Sequence, residues 1–244
     1  MVDTELGAHR ERFPRRRVGQ VVSATRAEVI IRPYEPGDRA HVRHVCHVTG
    51  YMGEPVDWLW RDVDSFADLF TAYYTDDEPQ SALVAESGGV VAGYLLGCVD
   101  SRRAWSPTII FGRHLLRRGI GFRPGTARVV WRSLCDVIVD GLHRRMPPVS
   151  VHDDRWPAHV HIDLLPSIRN QGVGADLMHR WLDTLRGSGV RGCHLETLGE
   201  NHGGISFFES MGFRRHGEPA LAPGLRSPTG KRHTIQLMVQ TFDG

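Results

Sequence analysis

Two glycines stand where an apolar run gives way to a helical pattern, within residues 161–185, HIDLLPSIRNQGVGADLMHRWLDTL. Gly172 and Gly174 have no Cβ, so a ligand can approach the backbone N–H groups at the helix start. Those N–H groups lack intrahelical acceptors, and the helix dipole adds a favourable potential for phosphate. The stretch therefore predicts an anion-binding loop.

Three other interpretations of this loop are weighed against its residues. A P-loop needs Lys and then Ser or Thr after the last glycine, and Ala175 and Asp176 exclude it. A dinucleotide-binding loop needs a third glycine where Leu177 stands, although Glu196 lies at a suitable distance for a ribose. A glycine turn with no ligand is the third interpretation.

Two histidines and an aspartate alternate along the preceding strand pattern, AHVHIDLL, residues 158–165. Alternation places His159, His161 and Asp163 on one face. An imidazole titrates near neutral pH, which suits a base or proton relay, and a nearby carboxylate can orient it. A merely polar strand face is the alternative for each residue alone, and Glu196 on the next strand is a second candidate base.

The elements around these residues alternate between strands and helices, which predicts an α/β (α+β) domain with a mixed sheet. A helix begins after Asp38, which is its candidate N-cap, and one or two more are expected in residues 54–78. Gly88 and Gly89 join two β-rich runs as a hairpin. The predicted strands cover 28–35, 81–87, 90–101, 158–165, 192–199, 212–217 and 233–240, and further helices are expected at about 172–186 and 204–211.

The chain divides into a leader and one domain. Residues 1–26 contain the basic run HRERFPRRR and predict a disordered leader, followed by a domain over 27–244. Within it, residues 101–157 predict a helical insertion before the fourth strand, acting as a structural addition or a substrate lid.

The composition and net charge of the chain limit the kinds of partner that it is expected to bind. The formal net charge is only +2, so no nucleic-acid partner is expected. No window resembles a membrane span or a signal peptide, so we expect a cytoplasmic protein without a membrane partner. The four cysteines, at 46, 98, 135 and 193, lie beside aliphatic residues without ligand spacing, which predicts buried reduced thiols and no metal site.

Arg169, Gly172 and Gly174 satisfy the pattern [Gln/Arg]-x-x-Gly-x-[Gly/Ala]. This stretch resembles the pyrophosphate-binding loop of the Gcn5-related N-acetyltransferases, the GNAT superfamily. Residues 30–38, IIRPYEPGD, resemble the family's opening strand and turn, and NHGGISFFESMGF, residues 201–213, matches its Asn-x-x-Ala-x-x-Phe-Tyr-Glu-x-x-Gly-Phe segment in register. More loosely, PAHVHIDLLP is similar to bacterial relatives of the acetyltransferase-like domain of O-GlcNAcase.

The resemblance implies a single GNAT-like domain whose sheet splays between the fourth and fifth strands. It implies an acyltransferase that moves an acetyl group from acetyl-CoA to a primary amine, on a small molecule or a peptide lysine. A homodimer is compatible with it. The catalytic residues would be His161, Asp163 and His159. The implied cofactor-binding residues are Leu164, Leu165, Arg169, Asn170, Gln171, Gly172, Val173, Gly174, Ala175, Asn201, Ser206 and Phe208.

Two departures from the family pattern affect the chemistry. Phe208 stands where many members have a Tyr taken to protonate the departing thiolate. Ser206, His202, a water or an unassisted thiolate would then serve, or the domain is a catalytically weak acyl-CoA sensor. The histidines are also displaced by one residue from the paired histidines of arylalkylamine N-acetyltransferases, which reverses the face unless a bulge intervenes.

The residues that would contact an acceptor stay open. Carboxylates could attract an amine or be solvated, and aromatic side chains could line a substrate wall or belong to the core. The carboxylates are Asp57, Asp62, Asp64, Asp68, Asp153 and Asp154; the aromatic residues are Trp58, Trp60, Tyr73 and Tyr74.

Overall fold

A computed structural model describes residues 28–143 and 153–242. The predicted leader lies outside these residues, as does part of the predicted insertion. The strands are β1 (Val29–Pro33), β2 (Ala82–Ser87), β3 (Val90–Cys98), β4 (Ala158–Leu164), β5 (Gly192–Leu198), β6 (Arg214–Arg226) and β7 (Arg232–Thr241). The helices are α1 (Arg39–Thr49), α2 (Val63–Asp76), α3 (Pro107–Arg118), α4 (Ala127–Leu142), α5 (Val173–Gly187) and α6 (His202–Ser210).

The strands form one mixed sheet in the order β1-β2-β3-β4-β5-β7-β6. Neighbours pair antiparallel except β4 and β5, which are parallel. Gly88 and Gly89 turn the β2–β3 hairpin with φ values of 60° and 82°, as a two-residue turn of the type that twists with its strands requires. The predicted fold class is confirmed.

The parallel pair separates soon after it forms. Only Ala158 with Cys193 and His159 with His194 are in register, although β4 continues for five more residues and β5 for four. The predicted splay between the fourth and fifth strands is therefore present. It leaves backbone groups of β4 facing a gap instead of a neighbouring strand.

Apolar layers cover both faces of the sheet. On one face α5 buries the predicted stripe, with Leu177, Trp181 and Leu185 almost fully enclosed. On the other, α1 and α2 pack over Tyr94 and Leu96 of β3. The gap between β4 and β5 therefore connects two sides of the sheet that the helices otherwise cover.

Several local expectations are corrected. Asp38 precedes α1, but its carboxylate does not cap the helix; it accepts hydrogen bonds from Arg32 at 2.7 and 2.9 Å. Residues 54–78 contain one α-helix, α2, which agrees with the one or two expected there. Cys135 is exposed on α4, whereas the other three cysteines are buried as expected.

None of the helices in residues 28–143 and 153–242 combines the length and hydrophobicity needed to cross a bilayer.

Candidate active site

The turn after β4 leads directly into α5, whose first-turn amides are open. Gly172 precedes the helix with φ 85°, in the left-handed region, and has no side chain to cap it. Asn170 is also left-handed, at φ 57°. The amides of residues 173–175 donate to no backbone oxygen in the described residues, as expected for a helix start. The predicted anion-binding geometry is therefore present.

Gly174, the second glycine of the loop, is explained by close packing as well as by the ligand approach that the sequence predicts. A Cβ on Gly174 would lie 3.3 Å from the Phe207 ring and 3.4 Å from Leu164 Cδ1. Close packing of α5 against α6 and β4, and not only ligand approach, therefore accounts for this glycine.

Arg169 braces the loop. Its Nε donates to the carbonyl of Leu164 at 2.8 Å, and its Nη2 donates to the carbonyl of Gly53 at 2.6 Å. Gly53 has φ 88°, and a Cβ there would lie 3.0 Å from the guanidinium. The side chain proposed as a pyrophosphate contact thus ties the end of β4 to the turn after α1.

Backbone groups of β4 alternate between β3 and the gap. The amide of Leu165, just past β4, donates to Ala92 of β3. By alternation the amides of Ile162 and Leu164 point towards β5, where pairing has ended. Within the described residues no strand pairs with these two amides on that side, so they can donate to a ligand that enters the gap.

His161 belongs to a network that fixes its proton. Tyr94 on β3, which lies opposite Asp163, donates from its hydroxyl to Asp163 Oδ2 at 2.7 Å, so the phenol oxygen accepts from His161 Nε2 at 3.0 Å. His161 Nε2 also lies 3.2 Å from Asp163 Oδ2. The imidazole proton therefore sits on Nε2, and Nδ1 has no partner among the described residues.

Two aromatic rings stack on the His161 imidazole and restrict its orientation. Phe70 stacks on His161 at 5.8 Å and Tyr94 stacks at 5.6 Å. Tyr94 is fully buried, whereas the His161 side chain is partly exposed and Phe70 is exposed. His161 thus combines a fixed tautomer with access to solvent.

His159 has a different environment on the same strand. Its Nε2 lies 2.6 Å from the Tyr74 hydroxyl and its Nδ1 lies 2.7 Å from Ser101 Oγ. Burial, with smaller contributions from the neighbouring imidazoles of His194 and His161, lowers the pKa of His159 to about 3. A neutral ring with both nitrogens engaged favours a structural role.

This burial predicts a pH effect on stability. The unfolded His159 takes up a proton near pH 6.5 and the folded one only near pH 3, so stability falls as pH drops through that window. At about 1.4 kcal/mol per pKa unit the loss amounts to a few kcal/mol. We expect His159→Gln, which hydrogen-bonds but does not titrate, to flatten urea-unfolding free energies measured between pH 6.5 and 4; an equal slope in both proteins would contradict it.

The β5 side of the gap carries a carboxylate. Glu196 follows His194 by two residues, so both share the face of His159 and His161. Desolvation by the surrounding strands raises the pKa of Glu196, although the residue is exposed. The structure thus keeps this second candidate base beside the gap.

The predicted cofactor residues of α6 have other partners. Asn201 caps α6, accepting from the Gly204 amide at 3.0 Å, and donates to Thr197 Oγ1 at 3.2 Å. Ser206 is exposed. Phe208 packs against Phe213 at the edge of the apolar core and carries no transferable proton.

Most of the acidic residues considered as amine attractors are neutralised. Asp62 and Asp64 bind Arg118, and Asp68 binds Arg43 and His114. The two acidic residues before β4 pair in the same way, Asp153 with Arg155 and Asp154 with Arg102.

The aromatic set divides between the core and the surface. Trp60 and Tyr73 are buried in the core, whereas Trp58 is exposed. Tyr74 is half-buried and holds His159.

A second polar network was missed by the sequence. The Tyr51 hydroxyl lies 2.9 Å from His233 Nε2, and His233 Nδ1 lies 2.9 Å from Glu200 Oε2. Tyr51 and His233 are 182 residues apart, so no local pattern joins them. With the Arg169–Gly53 contact, this network fixes the turn after α1 to both sides of the gap.

Three side chains of the site could hold a metal ion. Ligand atoms of Cys46, His161 and Asp163 lie within 4.8 Å of one another. The Tyr94 hydroxyl already binds His161 and Asp163, and burial raises the pKa of the Cys46 thiol, which keeps it protonated. These contacts satisfy the three groups without an ion.

The segment that contains this site resembles a known protein family. Residues 148–213 match the family model described as the acetyltransferase (GNAT) family. This segment contains β4, the loop, α5, β5 and α6. Over these residues the chain matches the GNAT acetyltransferase family. It is an acyltransferase, and members of this family use acetyl-CoA as donor.

Solved structures share the fold of this chain. The protein named SsHAT is 26% identical with a TM-score of 0.61, over 87% of this chain and 98% of its own. The yncA protein of Salmonella typhimurium, solved with its cofactor acetyl-CoA, is 16% identical with a TM-score of 0.50, over 88% and 94%. A Drosophila melanogaster polyamine N-acetyltransferase is 13% identical with a TM-score of 0.50, over 88% and 100%.

The residues present fit acetyl-CoA. Its pyrophosphate suits the open amides at the start of α5, and its amide-bearing arm suits the unpaired donors along β4. Binding of acetyl-CoA would use backbone N–H groups. It would not require the side chains of Arg169 and Asn201, which bind other groups of the protein.

Proposed function

We propose that the GNAT domain transfers an acetyl group to a primary amine by direct attack, with His161 Nδ1 as the base. The observation that carries this is the Asp163–Tyr94–His161 network, which holds the proton on Nε2 and leaves the Nδ1 lone pair free. When bound, acetyl-CoA supplies the activated acetyl thioester.

The base is needed because alkylamines are protonated at neutral pH and an ammonium cannot attack. His161 takes the amine proton at Nδ1 and becomes a cation. Asp163, which shares Nε2 with Tyr94, then stabilises that cation through the same hydrogen bonds. Asp163 and Tyr94 are positioning residues in this scheme.

The residues around His161 also suit a cationic acceptor. Phe70 and Trp58 are exposed aromatic rings, and the Glu196 carboxylate lies on the same face as His161. Aromatic faces and carboxylates both attract ammonium groups. The acceptor is therefore a small amine or a peptide lysine. We assign no general acid, since Phe208 has no proton and coenzyme A can depart as a thiolate.

Turnover on a panel of amines tests this function. Polyamines, arylalkylamines and a lysine peptide are incubated with acetyl-CoA, and released thiol is measured with a chromogenic disulfide. We expect thiol release that depends on at least one amine and that Asp163→Asn lowers. Binding of acetyl-CoA with no amine-dependent release across the panel would favour the acyl-CoA sensor instead.

A further inference from the structure

The two helices before β4 expose apolar side chains along one side. Trp131, Cys135, Ile138 and Leu142 recur at helical spacing on α4, and all four are exposed. Phe122, from the turn before α4, is 82% exposed and meets the Trp131 ring at 6.4 Å. We call these five residues the apolar stripe.

The stripe lies in a strongly cationic part of the chain. Residues 101–135 contain eight arginines and no Asp or Glu. Asp136 and Asp140, further along α4, pair with Arg226 and Arg232 of the last two strands. Arg113, Arg117 and Arg128 are exposed and form no ion pair with a described residue. Leu116, exposed on α3 between two of them, adds another apolar side chain.

We propose that the α3–α4 face docks on an anionic lipid surface. Apolar side chains flanked by arginines, with an aromatic pair at one end, suit the boundary between headgroups and acyl chains. Such contact needs no spanning helix. The sequence expectation of no membrane partner rested on the lack of a spanning segment, so it does not bear on surface contact.

A second copy of the chain fits this face less well. From Trp131 to Leu142 the stripe is roughly 16 Å long at 1.5 Å per residue. One helix face of that length offers far less than the ~800 Å² per partner that stable interfaces bury. Symmetric pairing would also bring arginines of two copies together without carboxylates of this region to offset them.

A nucleic acid would also attract the arginines, but it would leave the stripe unmatched. Phosphate backbones reward cations and polar donors, whereas the centre of this face is aliphatic and aromatic. The combination of charge and exposed hydrophobicity therefore selects lipid over nucleic acid.

Vesicle co-sedimentation of the full chain tests the proposal. We expect binding to phosphatidylcholine vesicles that contain about one-third phosphatidylserine, and little binding to phosphatidylcholine alone. Salt at ~1 M, which shortens the screening length to about 3 Å, weakens the binding. The double variant Phe122→Glu/Leu142→Glu should lower the bound fraction roughly tenfold.

Val90→Glu is the matched control, because Val90 is an exposed apolar residue on the β2–β3 hairpin, away from the stripe. It should bind vesicles like the parent protein. Absence of binding to the anionic vesicles overturns the proposal. So does full binding by the double variant, which would assign the contact to another region such as residues 9–17.

Light scattering identifies the competing occupant. We expect a monomer for both the parent protein and the double variant. A parent dimer that Phe122→Glu/Leu142→Glu converts to a monomer would overturn the lipid assignment and make this face a self-association surface.

Discussion

Replacing His161 with Asn is expected to lower kcat for amine acetylation by roughly 10²- to 10⁴-fold, the range associated with general-base catalysis. The reason is that His161 Nδ1 has no partner among the described residues and the side chain is partly exposed. Affinity for acetyl-CoA should change little, since the open amides lie at the start of α5. Steady-state kinetics across pH, together with calorimetry, measures both quantities.

Two further variants separate the candidate bases. Tyr94→Phe removes the hydroxyl that His161 and Asp163 share, so we expect a displaced pH profile with a smaller loss of kcat. Glu196→Gln should leave the profile in place. If Glu196→Gln abolished turnover and His161→Asn did not, the base would be Glu196, whose pKa burial already raises.

Replacing Gly172 with Asp is expected to weaken acetyl-CoA binding by roughly 100-fold, since it sets a carboxylate beside amides that favour an anion. Asp is among the residues that tolerate the left-handed φ of 85° found here, so the fold should persist. Calorimetric titration gives the affinity, and a thermal melt checks folding.

Gly172→Asn is the matched control. Asn has the same shape and the same tolerance of positive φ but no charge. A much smaller loss in Asn than in Asp assigns the effect to charge at an anion site. Equal losses in the two variants would mean that the Cβ or the backbone, and not the anion, explains this glycine.

The sequence predicts those parts of the site that depend on local backbone. The glycine at 172 indicates a left-handed residue before a helix. The alternation of His159, His161 and Asp163 indicates that the three side chains share one face of the strand. Both follow from rules that hold over a few residues. The family pattern adds the splay of β4 from β5, which no local rule contains.

Partners distant in the chain escape such rules. Tyr94 lies 67 residues before His161, yet its hydroxyl decides which nitrogen of the imidazole is free. His159 and His161 look equivalent in sequence, and only Tyr74 and Ser101 make His159 a fully engaged neutral ring. The sequence could therefore nominate candidate bases without ranking them.

Arg169 shows the same limit from the opposite side. The pattern places it correctly in the loop, but its guanidinium binds Leu164 and Gly53 because the turn after α1 passes over the end of β4. A contact across 116 residues depends on how α1 and β4 pack together, which composition and spacing do not encode.

Calorimetric titration with acetyl-CoA, with NAD and ATP as controls, tests the central claim most directly. We expect saturable binding of acetyl-CoA with one site per chain, and no saturable heat from NAD or ATP. The absence of binding by acetyl-CoA, or equal binding by NAD, would contradict it, because the open amides of α5 would then have a different ligand or none.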